Sequence, residues 1–122
     1  HELLFNTMKD RAYCINLQRD EGEEFCPDWV EKVDLSTWTA TAAAISSCEM
    51  VVTSCTSIAH LAGAMGIPTM IIIPIVPYYL WSLPGTSTPY YDSVTLLRQT
   101  DPDDWLAPFE QLAEMVVLRE AA

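Results

Sequence analysis

Positive charge is scarce in this sequence. Only 6 Lys and Arg stand against 17 Asp and Glu, and the formal net charge is −11. Nucleic acid and anionic membranes are bound through clustered Lys and Arg, so this balance argues against both. A nucleotide stays possible, because a helix amino terminus holds phosphate through backbone N–H groups without a cation nearby. Long apolar runs are also missing. None reaches the roughly 18–20 residues of a membrane span, and the longest is broken by Pro74 and Pro77. No signal peptide, internal repeat or low-complexity tract is visible. The 4 cysteines, Cys14, Cys26, Cys48 and Cys55, form no Cys-x-x-Cys pair, which argues against a zinc site. Cys14 and Cys48 read as small buried fillers, and the compartment as reducing, hence cytoplasmic.

What is present is apolar and of single-domain size. The chain has 122 residues, 50% of them hydrophobic. That supports one domain over 1–122 with a real core and argues against disorder. The most informative stretch is 49–74, EMVVTSCTSIAHLAGAMGIPTMIIIP. Residues 50–53 form a brief β-branched apolar run, the mark of a buried strand. Residues 54–57 are a small polar turn. Ile58, Leu61, Ala62 and Met65 follow at helical spacing, Gly66 sits where a helix stops, and Pro68 prevents its continuation. Residues 69–73 are apolar after Thr69, as a strand covered on both faces requires.

Strand, helix and strand in so few residues predict a parallel crossover, expected to be right-handed. Ligands of open parallel sheets bind beyond the carboxyl ends of the strands. The turn Cys55-Thr56-Ser57 belongs there and opens a helix, whose free N–H groups and dipole suit an anion. Thr56 and Ser57 serve either as helix caps or as phosphate contacts.

The remaining segments are read around this unit. Residues 1–10 carry Leu3, Leu4 and Met8 and read as a helix end. They open without Met and without a preceding strand, so the chain is expected to begin in mid-domain. Residues 12–17 and 32–35 are short strand candidates, and 18–24, running to Phe25, form an acidic solvated loop. A helix is expected from Ser36 or Thr37 through Ser47, with Trp38, Ala42 and Ile45 on its inner face. Residues 74–92 make a long loop rich in Pro and aromatic side chains, which either stack on a base or sugar or hold the loop onto the domain. Residues 93–98 are the last strand. Asp101-Pro102-Asp103-Asp104 is expected to open the last helix, Pro108 to kink or restart it, and Arg119 to complement its carboxyl end. Trp38 and Trp105 are expected in the core. Arg19 and Arg98 lie near strand ends, where each meets either a phosphate or an acidic side chain.

The order DLSTWTATAAAISSCEMVVTSCTSIAHLAGAMGIPTMIIIP, then Trp81, then TPYYDSVTLLRQ resembles the carboxyl-terminal nucleotide-binding domain of heptosyltransferase-like glycosyltransferases. The branch it resembles most is the one linked to tetratricopeptide repeats. The likeness runs from about Tyr13 to the end and is strongest over CTSIAHLAGAMGIP. It implies the Rossmann-like, carboxyl-terminal half of a GT-B fold: an α/β domain with about four parallel strands and flanking helices. By the same resemblance, Thr56, Ser57 and Ile58 hold the diphosphate of a nucleotide-sugar donor, and His60 supports the turn or the phosphate. No metal or other cofactor is implied. The acceptor-activating base comes from a partner amino-terminal domain. This chain departs from the pattern in two ways. Cys55 stands where the family commonly has an Asp that contacts the donor sugar, and the first strand of the domain is expected to be missing. A piece of this kind alone is expected to be inactive.

Three functions follow for comparison. The first is a glycosyltransferase donor domain. The second is a non-catalytic nucleotide or interaction module of the same fold, since fold does not establish chemistry. The third is a cysteine enzyme, with Cys55 activated at a helix amino terminus; it needs a histidine base in reach, and His60 is expected on the helix behind it.

Overall fold

The structure, a computed structural model, describes residues 6, 8, 9, 12–19 and 26–121, with side chains to residue 116. The expectations for Leu3 and Leu4, for the acidic stretch 20–25 and for the Arg119 side chain lie outside the described residues.

The elements in chain order are β1 (Ile15–Asn16), β2 (Glu31–Lys32), α1 (Trp38–Ser46), β3 (Val51–Thr53), α2 (Ser57–Ala64), β4 (Thr69–Ile73), a 3-10 turn (Tyr79–Trp81), β5 (Val94–Arg98) and α3 (Leu106–Ala121). Strands β3, β4 and β5 form a parallel sheet in that spatial order. Every residue of the central strand β4 is buried. A strand with a layer on each face has no solvent side, and the sequence Thr-Met-Ile-Ile-Ile provides none.

The two faces of β4 separate by alternation. Ile71 and Ile73 pack with Ala59, Trp81, Val94 and Leu96. Met70 and Ile72 pack with Leu97, Leu112 and Val116, which places α3 on that opposite face. Each such buried aliphatic side chain contributes about 1.5–3 kcal/mol relative to exposure. Thr69 is buried at the strand start, and its hydroxyl donates to the Ile67 carbonyl at 2.7 Å. Among the described residues no buried side-chain polar atom lacks a partner.

Helix α2 carries the chain from β3 to β4. It ends in a left-handed Gly66 at φ +75. Gly66 N–H donates to Gly63 and Ile67 N–H to Ala62, the pairing that satisfies the last carbonyls of a helix. No helix carries the chain from β4 to β5. The long connection first makes its 3-10 turn, which buries Trp81, and then runs along the outer edge of β5. There Leu96 N–H donates to the Thr86 carbonyl at 2.7 Å. The Arg98 guanidinium donates to the carbonyls of Gly85 and Leu83. Arg98 therefore pegs the loop to the sheet edge, and its bonds go to backbone carbonyls rather than to an acidic side chain.

The fold departs from expectation at several points. Among the described residues the main sheet has three strands, not about four. β1 instead pairs in parallel with β2, in a separate two-stranded ladder. Glu31 N–H donates to Cys14 O at 2.9 Å, while Cys14 and Leu17 reach the main core through side chains alone. Among the described residues no strand pairs with the outer edge of β3.

Trp38 is 63% exposed and Trp105 41% exposed, so neither is core. Trp38 occupies the first turn of α1, where Thr37 is the cap and accepts from Ala40 N–H at 3.0 Å. The buried face of α1 belongs to Thr41 and Ile45, and Ile45 packs on Val51 and Ala62. Trp105 lies in the turn before α3. The Asp stretch forms that turn rather than the helix start: Asp101 accepts from Asp103 N–H, and Asp104 from Leu106 N–H at 2.8 Å. Pro108 therefore falls in the first turn of α3, where its missing N–H costs no helical bond, and it neither kinks nor restarts the helix. All 4 cysteines are free and half-buried, and burial pushes the thiols of Cys14 and Cys48 above their ordinary value. Among the described residues no helix is long and apolar enough to cross a membrane.

Candidate functional site

β3 ends at Thr53 and α2 begins at Ser57, so the turn Ser54-Cys55-Thr56 stands at the carboxyl rim of the parallel sheet. Thr56 is the N-cap, with extended backbone at φ −135 and ψ 175. Its side chain does not cap the helix. The Ala59 N–H that such a cap would serve donates to the Thr56 carbonyl at 3.0 Å, while the Thr53 hydroxyl donates to Ser54 O at 3.0 Å and the Thr56 and Thr53 hydroxyls share a hydrogen bond of 3.2 Å. Thr56 and Ser57 are exposed, while the Ile58 side chain turns inward against Ile45, Val51 and Ala62. No acidic side chain occupies the first turn. The helix thus brings no carboxylate of its own to its exposed positive end, a condition that favours an anion there.

Behind this rim a second group of side chains fastens the crossing loop to α2. Trp81 is 1% exposed, and its indole N–H donates to Cys55 Sγ at 2.8 Å. The His60 ring stacks on Trp81 with centroids 5.5 Å apart. His60 Nδ1 and the Tyr91 hydroxyl share a hydrogen bond of 2.9 Å. Tyr90 meets Trp81 edge-on at 6.4 Å. The Tyr91 ring lies over Gly63, where an added Cβ would come within 2.8 Å of its Cγ. Ser93 completes the join by donating from its hydroxyl to Gly63 O at 3.1 Å.

The predicted site residues therefore divide into two sets. Thr56, Ser57 and the backbone of Ile58 stand together at the rim. Cys55 and His60 take part in the fastening, each bonded to a different aromatic ring. A cysteine nucleophile needs its histidine base as a hydrogen-bond partner. Here the sulfur pairs with Trp81 and the imidazole with Tyr91, so the described bonds do not join them. The specific roles of Trp81, Tyr91 and Gly63 have no signature in local periodicity. Only the resemblance pointed to Trp81 and Tyr90-Tyr91, and nothing pointed to Gly63. Among the described residues no group of His, Cys, Asp and Glu is arranged to hold a metal ion. Compared with protein-family models, with curated proteins and with solved structures, the chain matches none of them.

Proposed function

We propose that this domain binds the nucleoside diphosphate sugar donor of a GT-B glycosyltransferase, as its Rossmann-like carboxyl-terminal half. The observation that carries this reading is the uncapped, exposed amino end of α2 at the carboxyl rim of a parallel sheet. In this reading the N–H groups at Thr56, Ser57 and Ile58 receive the diphosphate, and His60 supports the turn through Tyr91 and Trp81. Donors fixed before the reaction stabilise the departing diphosphate as charge develops on it. The sugar is transferred to an acceptor activated by a second domain, in a reducing cytoplasmic compartment that suits 4 unbridged cysteines.

The second reading is a nucleotide-binding or interaction module of the same fold without catalysis. Cys55 favours it. Its sulfur accepts the Trp81 indole N–H at 2.8 Å, so the position is committed to holding the loop.

Ser57→Pro tests the proposal. Pro is accepted at the first helical position, and Thr56 already has the extended backbone that must precede it. The substitution deletes one N–H at the rim and preserves the helix. Calorimetry with ADP, GDP and UDP is expected to show binding by the unaltered protein. Ser57→Pro should bind about tenfold more weakly, the effect of one lost hydrogen bond to a charged group. Equal affinity for the two proteins, or no binding of any of the three, overturns the proposal.

A further inference from the structure

We propose that the Tyr78–Tyr79 pair is the platform on which the base of the bound nucleoside diphosphate stacks. This rests on the donor-binding reading above and adds a second contact region to it. The two rings lie 4.5 Å apart at a tilt of 52°. They are 51% and 69% exposed, whereas Trp81, two residues further on, is buried. Exposed apolar neighbours Ile75, Val76 and Leu83 extend the same segment. Exposed aromatic rings offer a flat face to a planar ligand.

Their position gives the pair its role. Tyr79 opens the 3-10 turn that Trp81 closes, and Trp81 N–H donates to Tyr78 O at 2.9 Å. Trp81 is in turn bonded to Cys55, the residue immediately before the N-cap of α2. One buried side chain thus joins the turn that carries the tyrosines to the turn that carries the rim amides. The Tyr78 phenol is pushed above its ordinary value first by its neighbour Tyr79, through hydrogen bonding and charge. The backbone of the pair is held by the 3-10 turn, through the bond from Trp81 N–H to Tyr78 O, which lowers the order to be gained on binding. Every base has a π face, so the platform accepts any of them, and selection among bases lies elsewhere.

The experiment compares the unaltered protein with Tyr78→Ala, Tyr79→Ala and Ser57→Pro, using calorimetry with inorganic pyrophosphate and with ADP, GDP and UDP. Both tyrosines are exposed, so the variants are expected to fold, which circular dichroism checks. The tyrosine variants should bind the nucleoside diphosphates about tenfold more weakly, the scale of one lost stacking contact, and bind pyrophosphate unchanged. Ser57→Pro should weaken both ligands. Tyrosine variants that keep the nucleotide affinity, or that lose pyrophosphate equally, overturn the platform and leave the phosphate site standing. An unaltered protein that binds pyrophosphate as tightly as the nucleotides has the same consequence. Binding of neither ligand removes both proposals together.

Discussion

Trp81→Ala lowers the unfolding free energy by about 3–5 kcal/mol, the range for truncating a buried large aromatic. Trp81 is the largest buried side chain described, at 1% exposure. It fills the layer between β4 and the loop, against Ala59, Ile71, Ile73 and Leu96. Alanine leaves a cavity there, removes the stack on His60 and deletes the donor to Cys55 Sγ. Stability of a domain is typically about 5–15 kcal/mol, so this single change consumes a large part of it. Trp38→Ala serves as the control. Trp38 is 63% exposed, and its loss should stay within about 0.5 kcal/mol. Urea unfolding followed by circular dichroism measures both. A Trp81→Ala loss below about 1 kcal/mol would show that the loop is not packed on the sheet as described.

Gly63→Ala is expected to destabilise, against the usual helix preference. In an exposed helix interior, Ala is better than Gly by about 1 kcal/mol. Here the added Cβ meets Tyr91 Cγ at 2.8 Å and Cδ2 at 3.0 Å. These atoms lie at the root of the ring rather than at a flexible tip. The ring is also held at its far end by His60, and the Gly63 carbonyl is held by Ser93. Neither side can withdraw without breaking a hydrogen bond, so the cost should be about 1–3 kcal/mol. Combining Gly63→Ala with Tyr91→Ala should be less destabilising than the sum of the two, because the clash is absent from the pair. An increase of about 1 kcal/mol for Gly63→Ala alone would mean that Tyr91 does not lie over the helix.

What could be read from the sequence was local. The run Thr69–Ile73 identified a doubly covered strand because both of its faces are apolar, and every residue of it is buried. Gly66 followed by Pro68 marked the end of α2, and Gly66 takes the left-handed conformation that this role requires. The strand–turn–helix unit put the turn at the carboxyl rim, since a crossover so short allows little else. The failures have a common cause as well. Trp38 has helical spacing with Ile45, but spacing records only which side chains share a face, and α1 buries only Thr41 and Ile45. The stretch 12–17 alternates like a strand, yet only Ile15–Asn16 is one and its partner is β2. The fastening of the loop depends on pairs 26 and 31 positions apart, Cys55 with Trp81 and His60 with Tyr91. No local pattern encodes such pairs. Thr56 illustrates the same limit on a small scale. Its residue type suits a cap, and its position is that of the cap, but the Ala59 N–H bonds its carbonyl and its hydroxyl bonds Thr53 instead.

The amide hydrogens at the start of α2 are the centre of the account. Magnetic resonance of the isotope-labelled protein, titrated with inorganic pyrophosphate, reports on each of them separately. The Thr56, Ser57 and Ile58 amide signals should move together and saturate, with smaller shifts around Cys55. Signals at 56–58 that stay fixed while pyrophosphate is added, whether or not others move, would contradict it.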